Sequence, residues 1–132
     1  YDLVVCDFGF DIARFKPSTT PHTIESVAGV PYCPGCSNDL KPHFDASLQA
    51  WRRWVRPTGH LAITGRFANF GMLRAFVLSA SDAGWNPNLD ASKILVAGMN
   101  SDVERFPAMM FDAAENGAAA PDIEAVARFF RR

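Results

Sequence analysis

Leu3-Val4-Val5-Cys6 is an unbroken apolar run that ends in Asp7. Continuous apolar runs mark strands covered on both faces, so residues 2–6 are predicted as a parallel strand with an acid at its carboxyl end. The next stretch, 8–43, has no period. It carries five prolines and three glycines among many Ser and Thr. This predicts a long loop with room for a brief element at 22–30, and loops beyond about 15 residues are usually functional or disordered. Phe44, Leu48, Trp51 and Val55 then recur at helical spacing, and Pro57-Thr58-Gly59 stops that helix. His60–Thr64 reads as a short strand. Phe70, Leu73, Phe76, Val77 and Ala80 mark a second helix, with Gly84-Trp85 as its C-cap and hydrophobic contact. Asn86-Pro87-Asn88 reads as a turn, and Lys93–Gly98 as a third strand. Residues 101–116 are ambiguous, a helix containing Pro107 being one reading. Gly117 with Ala118–Ala120 resembles a linker. Pro121-Asp122 opens a last helix whose apolar face is Ile123, Val126, Phe129 and Phe130.

Alternation of strands and helices predicts an α/β fold with a parallel sheet. Its strands lie near 2–6, 60–64 and 93–98. Residues 1–98 form the α/β part, with 8–43 as a loop insertion, and 99–132 a C-terminal helical extension. A strand that begins at the first residues suggests a fragment or a processed product. The 132 residues, 48% hydrophobic and 20% charged, suit one soluble globular unit. A net charge of −1 supplies no global field toward nucleic acid or membrane, so any such contact needs a local patch. No apolar run reaches the roughly 20 residues of a spanning helix. Three cysteines make a poor disulfide framework and point to a reducing, intracellular compartment, the cytoplasm first.

Three places carry candidate chemistry. Asp7 sits where open α/β sheets hold ligands and could position or deprotonate a nucleophile; its plain role would be to cap a loop. Cys33-Pro34-Gly35-Cys36 is half of a zinc site, for which Cys6, His22, His43 or His60 could supply further ligands; its plain role is a tight turn with two thiols. Trp51-Arg52-Arg53-Trp54-Val55-Arg56 mixes rings and cations as nucleic-acid surfaces do, although on a helix these arginines also make an ordinary solvated face. The histidines show no H-x-x-x-H spacing, and there is neither a G-x-S-x-G elbow nor a Walker loop.

With these residues placed, the chain resembles the carboxyl half of a class I S-adenosylmethionine-dependent methyltransferase, a Rossmann-like three-layer αβα fold. Tyr1–Asp7 resembles that family's fourth strand. Trp54-Val55-Arg56-Pro57-Thr58-Gly59-His60-Leu61-Ala62-Ile63 resembles its passage through L-(R/K)-P-G-G into strand five. Gly71–Trp85 resembles the next helix and its closing Gly-aromatic pair. Asp7-Phe8-Gly9 and Ala91-Ser92-Lys93 faintly resemble the RNA ribose 2′-O-methyltransferases. The resemblance implies Asp7 as the catalytic acid, Phe8, Gly9, Arg66 and Lys93 on the substrate, S-adenosylmethionine as cofactor and RNA as substrate. Thr64-Gly65-Arg66 stands where that type carries a catalytic lysine. None of the nine glycines forms the G-x-G turn that would hold the cofactor.

Two other readings stand beside it. One is a cofactor-less Rossmann-like module serving a larger assembly; the other is a zinc-stabilised binding module. In the family, strand four is central. Strand 2–6 is therefore expected to pair, on the side away from 60–64, with another segment or another chain.

Overall fold

The computed structural model describes residues 1–8, 22–65, 67, 69–97, 104–115 and 117–131. Its elements run β1 (Leu3–Phe8), β2 (Glu25–Val27), β3 (Val30–Tyr32), α1 (Pro34–Leu40), α2 (Pro42–Trp54), β4 (His60–Gly65), α3 (Phe70–Asp82), β5 (Trp85–Ala97), β6 (Glu104–Ala113) and α4 (Ile123–Phe130). The fold is mixed α/β. Its four-stranded sheet has the order β1-β4-β6-β5, and β2-β3 forms a separate hairpin.

One pair in the main sheet is parallel, β1 with β4, from Leu3 opposite His60 to Phe8 opposite Gly65. The others are antiparallel, which corrects the all-parallel expectation. The third predicted strand is longer than 93–98 and does not touch β4. It pairs with β6, which lies between them and comes from the ambiguous stretch 101–116. Pro87 and Pro107 are both accommodated within strands. Pro87 lies in β5, which ends the strand order, where a missing N–H costs least. Pro107 pairs with Ile94 beyond Ala108, the last residue of the β4–β6 ladder, so β4 asks nothing of its nitrogen.

Alternation along β4 and β6 separates two faces. Leu61, Ile63, Met109 and Phe111 are buried, and with α2, α3 and α4 they build the core. Phe76 is its hub, with ring centroids 5.2 Å from Phe44 and 5.8 Å from Phe111. The buried Trp85 donates its indole N–H to Leu48 O at 3.1 Å, tying β5 to α2. Gly84 follows the end of α3 at φ +92°, the left-handed position of a helix C-cap, as the Gly84-Trp85 pair predicts. Asp122 caps α4 by accepting from Ala125 N at 3.1 Å. No described helix is long and apolar enough to cross a membrane.

The opposite face of the parallel pair carries Leu3, Val5, Asp7, His60, Ala62 and Thr64, all exposed or half-buried. Leu3 is 48% and Val5 72% exposed, and among the described residues β1 pairs with β4 alone. The start of β1 is locked by close backbone approach. Tyr1 O accepts from Arg56 N at 2.8 Å, and Asp2 O from His60 N at 2.9 Å. Gly59 makes this approach possible: a Cβ there would lie 2.0 Å from Val55 Cγ1 and 2.9 Å from Asp2 O. The Pro-Thr-Gly passage thus has a packing reason of its own.

Candidate functional site

Two groupings emerge. The first lies along the carboxyl end of β1. The parallel register sets Asp7 opposite Thr64, and Thr64 Oγ1 donates to Asp7 Oδ1 at 3.0 Å. Thr64 faces Ala108 on β6, and Ala108 faces Lys93 on β5. Residues directly opposite in a ladder point to the same side, so Asp7, Thr64, Ala108 and Lys93 form one row across the open face. With neighbouring strands about 4.8 Å apart, the backbones of Asp7 and Lys93 stand roughly 14 Å apart. They bracket a strip of sheet with an anion at one end and a cation at the other, both exposed.

The row depends on a bulge. Pairing of β5 with β6 shifts between Asn88 and Lys93. Ser92 Oγ donates to Asn88 O at 2.7 Å and accepts from Met110 N at 3.0 Å, so the serine of Ala91-Ser92-Lys93 is buried and holds the bulge. Of the other residues assigned to substrate by resemblance, Gly9 and Arg66 lie outside the described residues, as does the side chain of Phe8.

The second grouping is His22, Cys33 and Cys36, whose ligand atoms all lie within 4.8 Å of one another. The hairpin brings them together. Ala28 and Gly29 turn it, both at positive φ, and Glu25 pairs with Tyr32. Continuing that register outward sets position 22 opposite 35, between the two cysteines. His22 Nδ1 lies 2.9 Å from Cys36 Sγ and 3.9 Å from Cys33 Sγ. Cys33 is the N-cap of α1 and accepts from Cys36 N at 3.4 Å. Hydrogen bonds from Cys36, through side chain and backbone, and then from His22 pull the Cys33 thiol down to about 6. The hydrogen bond to Cys33 and partial burial push the Cys36 thiol up. This group could hold a metal ion.

The remaining ligand candidates do not join it. Cys6 packs against the core from β1, where burial and the Asp7 charge raise its thiol pKa. His43 lies on α2. His60 Nδ1 lies 2.8 Å from Asp112 Oδ1, and Asn88 donates to the other oxygen of that carboxylate at 3.3 Å. No spacing in the sequence joins these last three residues; the β4–β6 register sets His60 opposite Asp112, and the β5–β6 pairing brings Asn88 beside them.

The arginines of Trp51–Arg56 do not converge on Asp7. Arg52 donates to Ala114 O at 3.0 Å and lies over the Trp85 ring at 5.8 Å, a packing role. Arg56 meets Asp2 at 3.4 Å, at the opposite end of β1. No protein-family model, curated protein or solved structure matches the chain.

Proposed function

We propose that this chain is the substrate-side part of a Rossmann-like, S-adenosylmethionine-dependent methyltransferase acting on RNA. One observation carries the reading. Asp7 sits at the carboxyl end of a parallel strand, held by Thr64 at the same end of its neighbour, the edge where open α/β sheets place ligands. The chain's own residues have a limited task there. The Asp7 carboxylate accepts the hydroxyl proton of the nucleophile or orients that hydroxyl, and Thr64 fixes the carboxylate. Lys93, at the far end of the row, offers a cation to a phosphate backbone. Holding the nucleophile in place supplies most of the advantage.

Among the described residues nothing fits the cofactor. The sequence has no G-x-G turn, and the row of Asp7, Thr64, Ala108 and Lys93 is no cradle for a nucleoside. In this proposal the cofactor is held by the segment or chain that pairs with the outer edge of β1, where Leu3 and Val5 are exposed. The test is methyl transfer from labelled cofactor to RNA by this chain assembled with that pairing segment. Asp7→Asn should abolish transfer and Thr64→Val should lower it. Undiminished transfer by Asp7→Asn overturns the reading. Titration of the cofactor into this chain alone should give no binding heat, and tight binding would overturn the assignment of the cofactor to the other segment.

A second reading is favoured by the convergence of His22 on the two thiols. The chain is a binding module stabilised by one zinc ion at His22, Cys33 and Cys36. Elemental analysis of purified, dialysed protein should find one zinc per chain. Only traces of zinc would exclude it.

A further inference from the structure

Beside the two thiols lies a cavity of about 360 Å³, lined by Ile24, Tyr32, Cys33, Cys36, Ser37 and Leu40 among others. Its volume falls in the range of small-molecule pockets. Its wall is mainly apolar, with Tyr32 packed edge-on against Phe70 at 5.5 Å between centroids. Arg74 stands behind the wall: it donates to Ser37 Oγ at 2.9 Å and lies over the Tyr32 ring at 5.2 Å.

The three donors suit zinc. Bonds of about 2.3 Å to sulfur and about 2.05 Å to nitrogen in a tetrahedron set N···S near 3.5 Å. The His22 distances of 2.9 Å and 3.9 Å bracket that value. Structural zinc sites close with four protein ligands, whereas sites that work on a ligand keep three and leave one position open. Among the described residues the group has three ligands, and two of them are wall residues of the cavity.

We propose that zinc at His22, Cys33 and Cys36 keeps its fourth position open to this cavity and binds there a small thiol with an apolar body. This rests on the zinc reading above. Two thiolates already make the ion soft, which favours a third sulfur over an oxygen donor. Zinc with two thiolates and a neutral imidazole carries no net charge, so an incoming thiolate makes the centre anionic. The exchange balances simply: the thiol releases its proton to solvent, its sulfur bonds the zinc, and the water in that position leaves.

The experiment uses the whole chain loaded with zinc, or with cobalt(II) as a spectroscopic substitute, and benzyl mercaptan as the probe. One metal per chain should bind. The mercaptan should then raise the sulfur-to-cobalt charge-transfer absorption from a two-thiolate to a three-thiolate intensity, saturating at one equivalent. Ile24→Trp alters a residue 72% exposed at the cavity, so the fold should tolerate it. It should abolish the response to mercaptan while leaving one metal per chain. Failure to bind metal overturns both the zinc reading and this inference. Metal binding with a spectrum indifferent to mercaptan overturns the inference alone, because a closed, four-ligand site would behave that way. A full mercaptan response in Ile24→Trp also overturns it, since the ligand would then lie outside the cavity.

Discussion

Thr64 Oγ1 donates a 3.0 Å hydrogen bond to Asp7 Oδ1, between residues that are also register partners in the one parallel pair of the sheet. Both groups are accessible to water, so the bond should matter more to function than to folding. Asp7→Asn and Thr64→Val should each change unfolding free energy by no more than about 1 kcal/mol. Urea denaturation checks this. A larger loss would mean that the pair is structural and would remove the basis for assigning it to chemistry.

In metal-free protein the two thiols of the C-x2-C should differ in reactivity. Cys33 should alkylate with a midpoint near pH 6 and Cys36 only at higher pH. Rates of iodoacetamide labelling against pH, read by peptide mass, decide it. Lowering the Cys33 pKa means that its thiolate form favours the fold. That contribution is complete above the ordinary thiol range and is lost as the pH falls through 6. His22→Ala should move the Cys33 midpoint upward. An unmoved midpoint would show that His22 does not act on it.

Gly59→Ala should be among the more damaging single-methyl changes. The new Cβ would collide with Val55 Cγ1 and crowd Asp2 O, so either the end of α2 or the start of β1 must move. Overpacking of this kind costs about 1–3 kcal/mol. Thermal melts should show the loss, and amide exchange should locate it at residues 2–4 and 59–61. A neutral result would mean that β1 is not held where the ladder with β4 places it.

Ala28 is the single non-glycine residue with positive φ among the described residues, at 50°, in the two-residue turn of the hairpin. A left-handed alanine costs about 1 kcal/mol, which glycine avoids and asparagine reduces. Ala28→Gly should therefore stabilise the chain by about 0.5–1 kcal/mol in urea denaturation. Destabilisation would show that the loss of chain entropy on ordering a second glycine outweighs the relief of strain.

Much was legible from local pattern because local forces decide it. The stripe of Phe44, Leu48 and Trp51, the Gly84 cap and the Asp122 cap are readable from spacing, since helices close their hydrogen bonds within a few residues. The hairpin at 25–32 was less legible, because its turn is Ala-Gly rather than Asn-Gly and a proline stands in β3. Asn86-Pro87-Asn88 reads locally as a turn and 101–116 stays ambiguous, yet both stretches lie in strands, β5 and β6. Only the neighbouring ladders show that neither the Pro87 nor the Pro107 nitrogen is needed.

The sequence by itself determined that Asp7 lies near the carboxyl end of an apolar strand and that Cys33 and Cys36 lie one turn apart, because both depend on adjacent residues. It left open which of four residues joins the cysteines and what faces Asp7. Tertiary structure decided those points: the β2–β3 register chose His22, and the β1-β4-β6-β5 order set Thr64 and Lys93 in the row of Asp7. The reason is physical. Strand pairing is made by backbone groups that every residue carries, so the partner across a ladder is selected by the burial of whole faces and not by the residues that meet there.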